Sequence, residues 1–226
     1  MSKGHKLYVL LLAVLVLAVL GVRGYCYHNE HTPEYALRKV QQAVQEQDEA
    51  AFVKYVDVDA FLMQAYDDGA EQLANHVGEL HERYPKDYFF WHDSDFMRQY
   101  AAEHRSAALP FLHNVLNHYF QDDMTAGSFE ENAPAWLAAQ MKKFSQSGCV
   151  EVQSVHENGE RATASLVLHG TDSDYGHLLD QLTVTLELKR QPDGFWRVSR
   201  ILNAEQLTLP VTDRAEAFWT LQGWQQ

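Results

Sequence analysis

The sequence predicts an α+β fold, and three observations carry the prediction. Apolar residues recur at helical spacing between Thr32 and Phe144, in segments opened by Thr32, Asp48, Asp57 and Asn132. The period then changes to two. Asn158-Gly159 and Pro192-Asp193-Gly194 each join two alternating runs. A helical half followed by two hairpins is the order of a segregated α+β domain rather than of alternating βα units. The expected organisation is a membrane anchor or signal segment with a short linker over 1–27, then an extracytoplasmic domain over 28–226. Within that domain, helices fill 33–147, a four-stranded antiparallel meander fills 149–203, and a helix over 213–222 closes the chain.

The first element is LYVLLLAVLVLAVLGV, residues 7–22. At about 1.5 Å per residue it covers roughly 24 Å, a little less than the ~30 Å hydrocarbon core. Lys6 and Arg23 can reach the headgroups, and Tyr8, Tyr25 and Tyr27 suit the interface. The preferred reading is an uncleaved signal anchor, with Lys3 and Lys6 inside and Arg23 outside. The alternative is a cleaved signal, whose apolar stretch is usually ~7–15 residues. Its best cleavage candidate, Val19-Leu20-Gly21, lacks the small-x-small pattern, and Cys26 is no lipobox cysteine because Tyr25 precedes it. Both readings export the rest of the chain.

With 226 residues, 46% of them apolar, the chain can bury a proper core. Its net charge is −13, and beyond Arg23 there are 15 basic and 31 acidic residues. Such a domain repels phosphate backbones and anionic lipid surfaces, so nucleic acid is excluded as a partner. No basic stretch with interleaved aromatics offsets this.

Each helix has a start signal. Thr32-Pro33 supplies a capping hydroxyl and then proline at the first helical position, ahead of Tyr35, Ala36, Val40, Ala43 and Val44. Asp48 opens a second helix with Ala51, Phe52 and Tyr55 inward, and Asp57 or Asp59 opens a third with Phe61, Leu62, Ala65 and Tyr66. Gly78, Pro85 and the Asp93–Asp95 turn are expected breaks. Leu109, Leu112, Leu116, Tyr119 and Phe120 mark another helix, and Asn132 to Pro134 opens one carrying Trp136, Leu137, Met141 and Phe144, ended by Ser147-Gly148. Thr212 is expected to cap the last helix, with Phe218, Leu221 and Trp224 on one face.

Two stretches support a resemblance. TPEYALRKVQQAVQEQDEAAFVKYVDVDAF, through Pro33, Tyr35, Leu37, Ala43, Val44, Asp48, Tyr55, Val56 and Asp57, resembles the opening of the bacterial domain-of-unknown-function family 2939. TVTLELKRQPDGFWRVSRIL is similar to the final hairpin of that family and of the wider NTF2-like, cystatin-like group. The resemblance covers residues 32–62 and 182–202. It implies a sheet curved around helices, often with a pocket, and transfers no catalytic residue.

The candidate chemistry is sparse. Phe89, Phe90 and Trp91 run into His92, Asp93 and Asp95, which reads either as a metal turn or as an inward-packed aromatic segment ending in a cap by Ser94 or Asp95. The packed segment is the expectation. His113 and His118 lie about 140° apart on a helix, a poor pair for one ion, within a polar stripe expected to face solvent. HGTDSDYGH joins the hairpins. Asp172-x-Asp174-x-Gly176 matches the start of a calcium loop, but the glycine comes one place early and Thr183 stands where a glutamate is needed. His169, Asp172, Asp174 and His177 are the candidate ligand-binding residues of that loop. Cys26 and Cys149 are exported on this reading, so a disulfide and two separate thiols both stay open. No nucleophile elbow, phosphate loop or zinc His-Glu-x-x-His is present, so no catalytic residue, metal or cofactor is assigned.

The functional expectation is a non-catalytic module anchored in the membrane through residues 7–22, with an envelope protein or a small ligand as its partner. The alternatives are an enzyme using a His/Asp pocket and a purely structural or oligomerising domain.

Overall fold

The computed structural model describes residues 30–121, 128–172, 176–178 and 181–221. Within them the fold is α+β. The helices are α1 (Pro33–Glu46), α2 (Glu49–Tyr55), α3 (Val58–Asn75), α4 (Val77–Arg83), α5 (Ser94–Gln121), α6 (Ala133–Gln146) and α7 (Ala204–Leu221). Between α6 and α7 the strands β1 (Gly148–Asn158), β2 (Arg161–Gly170), β3 (Leu182–Arg190) and β4 (Trp196–Ile201) form one antiparallel sheet in the order β1-β2-β3-β4.

The start signals act as capping chemistry requires. Thr32 Oγ1 accepts the Tyr35 amide at 3.2 Å, and Asp48 Oδ1 accepts the Ala51 amide at 2.9 Å. Asp57, not Asp59, caps α3 through the Ala60 amide at 3.4 Å. Asn132 caps α6 through the Ala135 amide at 3.2 Å. Gly159 and Gly194 take φ of 66° and 84°, the left-handed conformation that their tight turns demand.

Four expected boundaries move. Gly78 breaks nothing: α3 ends at Asn75, and Gly78 sits in the first turn of α4. The cap of α5 is Asp93, whose Oδ1 accepts the Phe96 amide at 2.9 Å, so Ser94 and Asp95 already belong to the helix. That helix runs 28 residues straight through Pro110. Proline frees the carbonyl of Ser106, but both residues are exposed, where the loss is tolerable. The last helix starts at Ala204 rather than 213 and passes through Pro210, which places Thr212 inside it. The face expected of Trp224 lies outside the described residues.

The inner face of the sheet carries Ala162, Ala164, Leu166 and Leu168 from β2, Val184, Leu186 and Leu188 from β3, and Trp196, Val198 and Ile201 from β4. These join one core with Phe52, Phe61, Leu62, Leu137 and Met141 of the helices. Burying each large apolar side chain of this set stabilises by about 1.5–3 kcal/mol. The outer edge of β4 is closed by a parallel bridge from Val56 and by the Asp57 amide on the Val198 carbonyl at 2.9 Å. The Trp196 indole N–H donates to the His31 carbonyl at 3.0 Å, which fixes the start of the domain beside the β3–β4 turn.

Among the described residues no helix is long and apolar enough to cross a membrane. The apolar run 7–22 and the linker with Cys26 lie outside those residues. Chain reach nevertheless bears on the cysteines. Cys149 lies nine residues up β1 from Asn158, about 30 Å from the turn end of the sheet. His31 sits at that turn end: Arg190 stands opposite Trp196, and the Arg190 amide donates to the Glu160 carbonyl. Fully extended, the chain from Cys26 to His31 spans at most about 18 Å. A disulfide adds about 6 Å between Cα atoms. These lengths count against a Cys26–Cys149 bridge within one copy; the pairing itself lies outside the described residues.

Candidate functional site

The segment between α4 and α5 and the first half of α5 build an aromatic strip. Asp87 is buried, and its Oδ1 accepts the Phe89 amide at 3.0 Å, which winds Tyr88–Trp91 into a 3-10 turn. The turn splits its four aromatics. Phe90 is buried against Tyr84, whereas Tyr88 and Trp91 are 73% and 59% exposed. The expected inward packing thus holds for Phe90 and fails for Tyr88 and Trp91. Trp91 is nonetheless fixed: its indole N–H donates to the Pro85 carbonyl at 3.0 Å, and its ring meets Tyr88 at 5.0 Å and His81 at 5.9 Å.

The strip continues along α5 at i,i+4 spacing, which stacks side chains on one helix face. His92 lies on Phe96 with ring centroids 3.8 Å apart, Phe96 faces Tyr100 at 6.1 Å, and Tyr100 carries His104 at 3.9 Å. Phe89 joins the turn to this ladder through Tyr100 at 5.3 Å. His92 is therefore engaged in stacking, Asp93 in capping and Asp95 with Arg98 at 3.5 Å, so the metal-turn reading has no ligand set here. Residues 81–104 hold five acids, Glu82, Asp87, Asp93, Asp95 and Glu103, against Arg83, Lys86 and Arg98. Arg83 is held by Asp213 at 2.6 Å and Arg98 by Glu71 at 2.9 Å. The segment that carries the exposed rings thus holds two more acids than basic residues, with Lys86 exposed beside Tyr88. Glu71 is held below its ordinary value by the hydrogen bonds from Arg98.

A second aromatic group sits where the chain enters the domain. Phe195 of the β3–β4 turn meets His31 at 4.8 Å and Tyr55 at 6.1 Å, and Tyr55 meets Tyr35 at 6.0 Å. The company here is mainly cationic, with Glu30 also near enough to act on Tyr55. Lys54 Nζ lies 4.6 Å from the Phe195 ring centre and 5.4 Å from that of Tyr55, and Arg38 and Lys39 lie 5.2 and 5.6 Å from that of Tyr35. Burial, then the neighbouring Tyr35, push the Tyr55 hydroxyl up to about 12, so it stays neutral. The sequence contains no such basic stretch because three separate segments, α1, α2 and the β3–β4 turn, assemble it in space.

The loop residues expected to bind a ligand are found in pairs. His169 Nε2 lies 4.0 Å from Glu151, and His177 Nε2 lies 3.5 Å from Asp172, all four side chains being exposed. Asp174 lies outside the described residues. Among those described, no group of three or more His, Cys, Asp or Glu could hold a metal ion. The hairpin register adds a neighbour that the sequence did not reveal: His169 stands directly across from Cys149. From the Asn158-Gly159 turn alone, Gly170 would take that place. The bulge between Val152 and Ser154 shifts the ladder by one residue.

The polar stripe of α5 also differs from expectation. His113 Nε2 meets Asp59 at 2.7 Å. With its amide oriented to suit its neighbours, Asn117 donates to Glu49 at 3.0 Å. The stripe is therefore a polar seam to α2 and α3 and not simply a solvated face. Deeper in the α3 side of the fold, burial pushes the Asp68 carboxyl above its ordinary 3.8, against the opposing effects of the Gln64 hydrogen bond and of Arg200.

Compared with known proteins, the chain matches no family model, no curated protein and no solved structure.

Proposed function

We propose that the protein is a non-catalytic binding module of the cell envelope, anchored through residues 7–22 and carrying its α+β domain outside the cytoplasm. The observation that carries the binding reading is the exposed, fixed aromatic strip from Tyr88 to His104. Exposed large aromatics held in one orientation give contact area at small entropic cost, and Trp and Tyr dominate the energetics of protein interfaces. Side chains as exposed as Tyr88 and Trp91 project outward rather than line a cleft, which favours a protein partner over a small ligand. Acids beside the rings favour a neutral or cationic face on that partner. Two polar atoms near the strip, His81 Nδ1 and Tyr84 Oη, are shielded from solvent and have no hydrogen-bond partner among the described residues.

The finer fold reading, an NTF2-like or cystatin-like sheet in a diverged relative of family 2939, rests on the Trp-x-Val strand after the Asp-Gly turn and on the opening helices. The enzyme reading needs a buried histidine beside a carboxylate. His113–Asp59, His169–Glu151 and His177–Asp172 all lie at or near the surface, which weakens it. Residues His169, Asp172, Asp174 and His177 stay a proposal for a secondary contact.

Native mass spectrometry of the full chain released from membranes tests the reading. The expected result is a stoichiometric bound species that is lost in a Tyr88→Ala/Trp91→Ala variant whose melting temperature is unchanged. A bound species retained by that variant would remove the strip from the account.

A further inference from the structure

Beyond partner capture, we propose that the entry end of the domain rests against an anionic lipid surface, through Lys39, Lys54 and Arg190 with Tyr35 and Phe195 between them. This inference depends on the anchor reading above.

Whole-chain charge argues against lipid contact, but the charge is segregated. The entry end comprises the start of α1, the end of α2 and the two hairpin turns, which His31, Trp196, Arg190 and Glu160 tie together. It holds Arg38, Lys39, Lys54, Arg161, Lys189, Arg190 and Arg197, seven of the 15 basic residues beyond Arg23. Against them stand Glu30, Glu34, Asp57, Glu157, Glu160, Glu187 and Asp193, seven of the 31 acids, so this end is close to neutral. Three of these basic residues and two of these acids are paired with one another. Glu187 faces Arg161 at 3.4 Å and Lys189 at 3.7 Å, and Asp193 faces Arg197 at 3.9 Å. Among the described residues no carboxylate pairs with Lys39, Lys54 or Arg190, and Lys54 and Arg190 are exposed. The large acidic excess lies on the rest of the domain. In front of an anionic surface this distribution acts as an orienting field, drawing the entry end in and pushing the remainder out.

The tether supplies the second argument. Seven residues separate the apolar run from Glu30. Even fully extended they reach about 25 Å. The end held closest to the bilayer is therefore the one without the acidic excess, and it presents Lys39, Lys54 and Arg190 with no carboxylate partner among the described residues. Aromatic rings with lysine beside them suit the headgroup region, where an apolar ring and a polar tip are both accommodated.

The test uses the full chain reconstituted in vesicles of neutral phosphatidylcholine, with or without about a third anionic phosphatidylglycerol. A fluorophore on Pro192→Cys, an exposed position of the same turn, in a Cys26→Ser/Cys149→Ser background, is quenched by a headgroup-attached quencher. The expected result is strong quenching in anionic vesicles. The docked-to-undocked ratio should fall at least about tenfold in neutral vesicles, in 0.5 M salt, or in Lys39→Glu/Lys54→Glu/Arg190→Glu, consistent with ~1 kcal/mol per basic residue near such a surface. The control Lys142→Glu/Lys143→Glu on α6 should leave it unchanged. Alkaline extraction separates the two ways to fail. A chain washed off the vesicles overturns the anchor reading and this one together. A chain that stays, with quenching indifferent to lipid charge and salt, overturns only the docking.

Discussion

The two aromatic groups of this protein differ in exposure and in charge: at the entry end Tyr55 is buried and its neighbours are mainly cationic, whereas Tyr88 and Trp91 of the strip are exposed in an acid-rich segment. At the entry end, Tyr35, Tyr55 and Phe195 lie among Arg38, Lys39 and Lys54. In the strip, Tyr88, Trp91, Phe96 and Tyr100 belong to a segment, residues 81–104, that holds five acids against three basic residues. The two are well separated. Asp59 and His113 bring the start of α3, next to Tyr55, against the second half of α5, and Phe96 lies seventeen residues earlier on that helix, about 25 Å away. Ring surface alone would make both groups generic sticky patches. On the reading proposed above, the charges divide the work: the cationic group would meet anionic headgroups, and the strip a protein partner held away from the bilayer.

The largest effect that sharpens this contrast is within the strip itself. Phe90→Ala should destabilise by about 3–5 kcal/mol, because it empties a fully buried site. Trp91→Ala, one residue on, should shift thermal unfolding by no more than about 0.5 kcal/mol while removing partner binding. Equal destabilisation by the two variants would show that Trp91 is a core residue and not a contact.

Next comes the cap that orients the ladder. Asp93→Ala should cost about 1 kcal/mol and loosen His92 from Phe96, readable as a lower melting temperature and weaker partner binding together. Unchanged binding would detach the helical ladder from the site.

Asp68 gives a pH-dependent test with a defined sign. Its folded carboxyl binds a proton more readily than the unfolded one, so its ionisation on folding costs stability as pH rises past its ordinary 3.8. Asp68→Asn should therefore raise the melting temperature at pH 7 and lose that advantage as pH falls below the ordinary carboxylate range. An advantage constant across pH would place the cause in packing.

The smallest expected effects concern the far end of the sheet. Mass mapping without reductant should find no Cys26–Cys149 bridge within one chain; finding one would show that residues 26–31 reach farther along the sheet than their length suggests. Chelation of divalent ions should leave the melting temperature unchanged, and a fall would show that the 169–177 loop holds a cation with groups beyond the described pairs.

Much of the fold was legible in the sequence because its signals are local. Thr32, Asp48 and Asp57 cap by bonding amides three residues on, and Gly159 and Gly194 are demanded by turns of a few residues. Pro110 and Pro210 show the limit of local signals: a proline's local effect is to break a helix, yet both lie inside one, because whether the freed carbonyl matters depends on which side of the helix meets solvent. The site was harder to see. Tyr88 and Trp91 share one aromatic run with Phe90, and only the 3-10 turn decides which rings point outward. The basic group at the entry end has no linear signature, since its members are up to about 160 residues apart and meet only through the sheet and the α1–α2 corner. The Cys149–His169 pairing depended on a bulge that no turn motif announces.

The most direct measurement places a photoreactive benzoylphenylalanine at Tyr88 or at Lys54 in the full chain and irradiates intact membranes. The account predicts a discrete protein adduct from position 88, abolished by Trp91→Ala, and lipid adducts from position 54. Lipid adducts from position 88 with a protein adduct from position 54 would contradict it.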